Sequence, residues 1–124
     1  MALDVLIVDD SAAIRKILQR VLRQADIQLG QVHEAADGVE ALEKLKTVRV
    51  GLMLVDINMP NMDGLQLLTQ LKASPELKDV PVVMVTTEGS HSKVMEAVQL
   101  GAAGYVRKPF TADQIHETIV RLVV

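Results

Sequence analysis

The fold of this chain is decided by residues 5–22, which read VLIVDDSAAIRKILQRVL. Residues 5–8 form an uninterrupted apolar run with the length of a short buried strand. From Ile14 onward the apolar residues recur at helical spacing, so this part predicts an amphipathic helix. Ser11 stands just before that helix, where its side chain can serve as the N-cap. The stretch therefore predicts a strand, an acidic turn and a helix.

The same succession of strand and helix recurs four more times along the chain. Further strands are predicted at residues 32–35, 52–55, 82–85 and 105–106. Each is followed by apolar residues at helical spacing, and the last helix opens on Thr111 and Gln114, which form a capping box. Strict alternation of this kind is typical of an α/β fold in which right-handed crossovers cover both faces of a parallel sheet. We therefore predict a doubly wound, five-stranded parallel sheet in a three-layer sandwich.

The polarity of the strands predicts their order in the sheet. The first, third and fourth runs are wholly apolar, as strands buried on both faces should be. The second run contains His33 and Glu34 and directly follows Gln31, and the fifth is also partly polar, which suits strands at the sheet edges. The order 2-1-3-4-5 places both polar strands at the edges, whereas the order 1-2-3-4-5 would bury the second. We therefore predict the first of these orders.

Length and composition limit the classes of protein that fit. A chain of 124 residues suits a single domain, which we expect to span residues 1–124. The absence of cysteine excludes disulfides, thiolate metal sites and cysteine nucleophiles, and leaves the cytoplasm as the default compartment. The net charge is -3, whereas proteins that bind nucleic acid usually carry an excess of basic residues. The N-terminus resembles neither a signal peptide nor a membrane span. We expect no direct contact with nucleic acid or membrane.

Polar residues follow the carboxyl ends of the predicted strands. Asp9 and Asp10 follow the first strand, Asp56 ends the third, Thr86 ends the fourth and Lys108 follows the fifth. Because parallel strands end at the same rim, these five residues should converge there. Three neighbouring carboxylates repel one another unless a cation is present, and hard oxygen ligands favour Mg²⁺. A carboxylate can also attack phosphorus, with Lys108 and Thr86 at the phosphoryl oxygens.

Each of these residues also has a simpler interpretation. An Asp-Asp pair after a strand is often a helix cap, and a lysine at a strand end is often a solvated charge. The polar face of the first helix carries the basic residues Arg15, Lys16, Arg20 and Arg23. A basic helix face of this kind is more often solvated than a docking site for an acidic or helical kinase partner. The histidines are dispersed and receive no role.

Several motifs resemble one family over residues 5–122. They are Asp9-Asp10-Ser11, Val55-Asp56-Ile57-Asn58-Met59-Pro60, Met62-Asp63-Gly64, Val85-Thr86-Thr87-Glu88, Gly104-Tyr105 and Lys108-Pro109-Phe110-Thr111. In this order and spacing they resemble the receiver domain of two-component response regulators, most of all its stand-alone, CheY-like members from chemotaxis. The resemblance implies a flavodoxin-like, CheY-like fold and a phosphoacceptor that assists its own phosphorylation and dephosphorylation without being an ordinary enzyme.

The resemblance also implies the roles of the acidic residues. It implies that Asp56 accepts a phosphoryl group from a CheA-like histidine kinase. It implies that Asp10, Asp56 and the backbone carbonyl of Asn58 hold Mg²⁺ as the cofactor, and that Asp9 acts on the metal mainly through water.

Roles for the remaining polar residues come from the same resemblance. Thr86 and Lys108 are expected to bind the phosphoryl oxygens, and Asn58 and Glu88 to flank the approach of the water that removes phosphate. Thr86 and Tyr105 are expected to form the switch that reports phosphorylation to the output surface.

The expected partners are proteins. A target is expected on the face formed by the fourth helix, the fifth strand and the fifth helix. The flagellar switch is a candidate target, a phosphatase is a further candidate partner, and a monomer is expected. Two departures from the family stand out. Thr87 is bulkier than the Ala or Gly of many members, which bears on the entry of small phosphodonors and of the attacking water. Ser90 and His91 stand where members that dock on the flagellar switch often carry cations, which bears on the identity of the target.

Three other classes of protein remain as alternatives. A small-molecule phosphatase of the aspartate-nucleophile kind typically carries a second aspartate two residues after the nucleophile, where this chain has Asn58. A phosphorylation-independent interaction module would not need the intact acidic rim. The receiver part of a larger DNA-binding regulator would share every motif named above.

Overall fold

A computed structural model describes residues 2–25 and 27–123, along which five strands and five helices alternate. The strands are β1 (Leu3–Val8), β2 (Leu29–Ala35), β3 (Leu52–Val55), β4 (Val82–Thr86) and β5 (Gly104–Arg107). The helices are α1 (Ala12–Gln24), α2 (Gly38–Leu45), α3 (Gly64–Ala73), α4 (His91–Gln99) and α5 (Ala112–Val123). The predicted α/β alternation is confirmed.

The strands form one parallel sheet in the order β2-β1-β3-β4-β5, which confirms the predicted order. Every residue of β3 and β4 is buried, whereas most residues of β2 and β5 are partly exposed. The polar side chains of the two outer strands therefore keep access to water, which is the physical reason that polarity predicts strand order.

Alternate residues of the central strands face opposite sides of the sheet and pack into two separate cores. Leu6 and Val8 of β1 pack with the leucines of α3 and with buried alanines of α2 and α4. Val5 and Ile7 pack on the other face with α1 and α5. The helices thus cover both faces of the sheet, as a three-layer sandwich requires.

Capping side chains fix where the helices begin. The Ser11 hydroxyl accepts a hydrogen bond of 3.3 Å from the Ile14 N–H, which confirms the predicted N-cap of α1. Thr111 and Gln114 form the predicted capping box, with reciprocal hydrogen bonds of 2.9 and 3.1 Å. These caps set the direction of the helices that flank the rim on which β1 and β5 end.

The second strand is longer than the sequence pattern predicts. It begins at Leu29, three residues before the predicted start, because Leu29 pairs with Leu3 of β1. The Asp4 carboxylate also accepts a hydrogen bond of 2.7 Å from the Gln31 N–H. The partner strand, and not the local alternation of side chains, extends β2. Across the described residues, no helix combines the length and apolar character needed to cross a bilayer.

Candidate functional site

Backbone hydrogen bonds fix the predicted site residues at one rim of the sheet. The Asp9 N–H donates to the carbonyl of Ala35 at 3.0 Å, and the Asp56 N–H donates to the carbonyl of Val8 at 2.9 Å. The Lys108 N–H donates at 2.8 Å to the carbonyl of Thr86, the last residue of β4. Each residue thus continues the ladder between neighbouring strands, so its side chain starts from a rigid position.

Lys108 joins two of the acidic residues through its ammonium group. Its Nζ lies 2.7 Å from Asp9 Oδ2 and 3.3 Å from Asp56 Oδ2. The Asp9 and Asp56 residues are only 1% and 7% exposed, so water screens these charges weakly. Burial disfavours the charged ammonium, but the hydrogen bond to Asp9 and the charge of Asp56 outweigh it, and the pKa of Lys108 is raised. Lys108 is therefore a fixed positive charge within the site.

The Asp56 carboxylate has one engaged oxygen and one free oxygen. Oδ2 faces Lys108, whereas Oδ1 is buried and has no hydrogen-bond partner among the residues that the structure describes. A buried carboxylate oxygen without a partner lowers the stability of the folded protein. A cation or another electrophilic group bound beside this oxygen would offset that cost.

Asp9, Asp10 and Asp56 each offer a carboxylate oxygen within 4.8 Å of the others. Asp10 is exposed at the surface of this group, whereas Asp9 and Asp56 lie beneath it. Both Asp9 oxygens already accept hydrogen bonds, Oδ1 from the Ser11 N–H at 2.8 Å and Oδ2 from Lys108. An open acidic cluster with a free buried oxygen fits a small divalent cation that prefers oxygen ligands, so the cluster could bind a metal.

A glycine allows α3 to begin directly beneath Asp56. A Cβ atom at Gly64 would lie 2.8 Å from the Ile57 Cα and would also clash with the carbonyl oxygen of Asp56. The Gly64 N–H instead donates a hydrogen bond of 2.8 Å to the Ile57 carbonyl. Asp63, the residue before, caps α3 in a capping box with Gln66. The Asp63-Gly64 motif therefore holds the loop after β3 close to the site.

Thr86, Glu88 and Tyr105 form a chain of hydrogen bonds that leads away from Asp56. The Thr86 hydroxyl is fully buried and accepts a hydrogen bond of 3.2 Å from the Glu88 N–H. The Tyr105 hydroxyl donates to the Glu88 carbonyl, and Tyr105 packs against the core on the α3 and α4 side. Burial and the Glu88 charge raise the pKa of Tyr105. One peptide segment thus joins the end of β4 to the tyrosine of β5.

Two further predicted residues, Asn58 and Glu88, are exposed and partly exposed, respectively. Asn58 is exposed and follows Asp56 by two positions. The Glu88 carboxylate accepts a hydrogen bond of 3.3 Å from the Ser90 N–H, and hydrogen bonds to Ser90 hold the pKa of Glu88 below its usual value. The roles of both residues stay predictions.

Sequence reasoning missed Arg15, which it placed on a basic and mainly solvated helix face. The Arg15 side chain is only 18% exposed and its Nε lies 2.8 Å from Glu34 Oε1. Its Nη1 donates a hydrogen bond of 2.6 Å to the backbone carbonyl of Asp9. In the sequence, the one indication of a contact with the acidic pair was the position of Arg15, about one helical turn after Asp10. Only the pairing of β2 with β1, which brings Glu34 alongside, decides the contact.

The parallel sheet and the acidic rim define a response regulator receiver domain, and the chain belongs to that family, whose model matches residues 5–120. Receiver domains of the CheY-like kind accept phosphoryl groups from histidine kinases and interact with protein targets, and they are phosphoacceptors more than classical enzymes.

The relatives of this chain include chemotaxis proteins. It is 40% identical to chemotaxis protein CheY-3 of Vibrio cholerae over 118 aligned residues, and the alignment covers 95% of this chain and 89% of that protein. It is 41% identical to chemotaxis protein CheY of Pseudomonas aeruginosa over 118 aligned residues, and this alignment covers 95% of this chain and 94% of that protein. The solved structure of chemotaxis response regulator CheY4 of Vibrio cholerae superposes with a TM-score of 0.88 at 35% identity, over 99% of this chain and 100% of that one. The chain is a CheY-like receiver domain.

Proposed function

We propose that this chain, acting as one receiver domain over residues 1–124, takes a phosphoryl group from a CheA-like histidine kinase onto Asp56 and thereby changes its affinity for a protein target in chemotaxis. The observation that carries the proposal is the state of Asp56. Asp56 is 7% exposed, its buried Oδ1 has no hydrogen-bond partner among the described residues, and its Oδ2 lies 3.3 Å from the Lys108 ammonium. A nucleophile with an available oxygen stands beside a fixed cation, as phosphoryl transfer needs.

In the proposed reaction an Asp56 carboxylate oxygen attacks the phosphorus of phosphohistidine. The new O–P bond forms while the P–N bond breaks, and the imidazole nitrogen leaves with the electron pair of that bond. Negative charge develops on the phosphoryl oxygens during this step. Lys108 and Thr86, which lie at the ends of neighbouring strands, are proposed to stabilise that charge with an ammonium and a hydroxyl donor.

Mg²⁺ is the proposed cofactor, held by Asp10, Asp56 and the backbone carbonyl of Asn58, with Asp9 acting through water. When bound, Mg²⁺ neutralises charge shared by the carboxylates and the phosphoryl oxygens. The acidic cluster, with its oxygens within 4.8 Å of one another, supports this assignment. The two hydrogen bonds that Asp9 accepts support its indirect role, because they leave its oxygens less available as ligands.

The proposed output is a change at the face formed by α4, β5 and α5. Thr86 and Tyr105 are linked through the N–H and the carbonyl of Glu88, so movement of the Thr86 hydroxyl toward a phosphoryl oxygen would disturb the hydrogen bond of the tyrosine. Met95 and Val98 of α4 are 41% and 53% exposed and give this face an apolar part for a protein target. The flagellar switch is the proposed target, and a phosphatase is a proposed second partner.

The proposal is tested by phosphotransfer from a CheA-like kinase that carries labelled phosphohistidine, in the presence of Mg²⁺. The wild type should acquire an acid-stable label that base and hydroxylamine remove, as expected for an acyl phosphate. Asp56→Asn should acquire none. Asp63→Asn is the matched control, because asparagine also caps helices and the label should be retained. Full labelling of Asp56→Asn would contradict the assignment.

A further inference from the structure

Arg15 links three elements at the edge of the acidic cluster. It lies in the first turn of α1, where its Nη1 donates a hydrogen bond of 2.6 Å to the carbonyl oxygen of Asp9, the residue after β1. Its Nε lies 2.8 Å from Glu34 of β2. The guanidinium is a rigid plane, so a contact made by Nε also fixes the direction of Nη1. Glu34 therefore holds Arg15 in the orientation in which it meets Asp9.

The carbonyl that Arg15 holds belongs to the peptide between Asp9 and Asp10. That peptide is planar, so a fixed carbonyl fixes the plane and with it the direction in which the Asp10 chain leaves. The other side of Asp9 is also held, because its N–H donates to Ala35. Asp9 is consequently held on both sides of its Cα, through its N–H to Ala35 and through its carbonyl to Arg15, before the chain reaches Asp10.

The effect of Arg15 on the cluster is geometric more than electrostatic. Its positive charge is paired with the Glu34 carboxylate at 2.8 Å, so little net charge remains to act on the acidic residues. A positive charge near a metal site would in any case repel a divalent cation. Electrostatics alone therefore predicts that removal of Arg15 strengthens Mg²⁺ binding, whereas loss of positioning predicts that it weakens binding.

We propose that Arg15, oriented by Glu34, is a positioning residue that sets the Asp9–Asp10 peptide so that the Asp10 carboxylate points at the metal site. This inference rests on the proposed function, since it assumes that Asp10 is a ligand of Mg²⁺. Arg15 itself touches neither metal nor phosphate.

The test is calorimetric titration of Mg²⁺ into the protein without phosphate. Arg15→Gln should raise the dissociation constant about tenfold, the lower end of the loss seen when groups that orient metal ligands are removed. Lys16→Gln, which removes one positive charge at the next and exposed position, should leave the constant unchanged or slightly lower. Arg15→Lys keeps the charge but not the planar fork, and it should behave like Arg15→Gln. Glu34→Gln should weaken binding in the same direction.

A second readout separates positioning from stability. The amide resonance of Asp10 reports the peptide that Arg15 holds, and it should shift in Arg15→Gln and Glu34→Gln but not in Lys16→Gln. Unchanged Mg²⁺ affinity in folded Arg15→Gln, or affinity fully restored by Arg15→Lys, would overturn the inference and leave the proposed function standing. Wild-type protein that binds Mg²⁺ no more tightly than Asp10→Ala would overturn both.

Discussion

Lys108 donates a hydrogen bond of 2.7 Å to Asp9, although the two residues are 99 positions apart in the chain. The pair closes the site across the sheet, from the end of β1 to the residue that follows β5. The same ammonium lies 3.3 Å from Asp56 and so serves as the counter-ion of two buried acids. A phosphoryl group on Asp56 would offer this ammonium a new and more negative partner.

Replacement of Lys108 should separate phosphorylation from switching. Lys108→Ala should accept phosphate slowly, because it lacks the cation that stabilises the transferring group. It should also fail to switch, because the variant lacks the ammonium group after β5 that would move in response to the phosphate. The measurement is the NMR signal of the Tyr105 ring during addition of beryllofluoride, a phosphoryl mimic, with Mg²⁺.

Lys46→Ala is the control for this measurement, because Lys46 is an exposed lysine whose one ion pair among the described residues is with the neighbouring Glu43. Its tyrosine signals should change as they do in the wild type. Tyrosine signals that change normally in Lys108→Ala would contradict the proposed coupling.

The ionisation of Tyr105 should depend on folding. Burial of the ring and the nearby Glu88 charge raise its pKa, so the folded protein holds the phenol proton at a pH where the unfolded chain has released it. This contribution to stability is present below about pH 10, the pKa of a free tyrosine, and is lost as pH rises through the higher folded pKa. The free energy of unfolding should therefore fall more steeply above about pH 10 in the wild type than in Tyr105→Phe.

Ultraviolet absorbance can follow this ionisation directly, because the chain contains one tyrosine and no tryptophan. The titration midpoint in buffer should lie above the midpoint in denaturant. Coincident midpoints would show that the hydroxyl is not held in the folded protein.

The strand order and the members of the acidic rim could be predicted from sequence, because both follow from which strands are wholly apolar and from where parallel strands end. The Ser11 cap could also be predicted, since it depends on neighbouring residues alone. The extra residues of β2 from Leu29 onward could not, because they depend on pairing with Leu3. The same holds for Arg15, whose partner Glu34 is brought near only by the register of two strands.

The side-chain arrangement within the rim was likewise beyond the sequence pattern. Topology predicts that Lys108 and the aspartates approach one another, but the choice of Asp9 as the nearer partner depends on packing of the lysine stem. The hydrogen bond from Tyr105 to the Glu88 carbonyl depends in the same way on the conformation of the loop after β4.

The Thr86 hydroxyl should be required for the tyrosine to respond. Thr86→Ala should bind beryllofluoride with little change in the Tyr105 ring signals, because the group drawn toward the phosphoryl oxygens is missing. Thr86→Ser retains the hydroxyl and serves as the control. A full response in Thr86→Ala would show that switching does not need the Thr86 hydroxyl. Ring signals and target affinity that stay constant in the wild type would show that Thr86 and Tyr105 do not form a switch.

The lifetime of the phosphate should depend on the residues that flank the approach of water. Asn58→Met and Glu88→Lys should each change the rate of phosphate loss several-fold, because Asn58 is exposed two positions after Asp56 and Glu88 is partly exposed two positions after Thr86. Neither side chain is a proposed metal ligand, since Asn58 would act through its backbone carbonyl, so Mg²⁺ affinity should stay nearly constant. Phosphate release after removal of the kinase provides the measurement, with Gln70→Met, an exposed site on α3, as a control. Equal lifetimes across these variants would contradict the placement.

Chemical mapping identifies which residue carries the phosphoryl group. Sodium borohydride reduces an acyl phosphate to an alcohol, so a phosphorylated aspartate is converted to homoserine and can be located by mass spectrometry of peptides. After phosphotransfer from the kinase with Mg²⁺, we predict homoserine in place of Asp56 and intact Asp9 and Asp10. Conversion at another aspartate, or labelled protein that yields no homoserine at position 56, would show that Asp56 is not the phosphoacceptor.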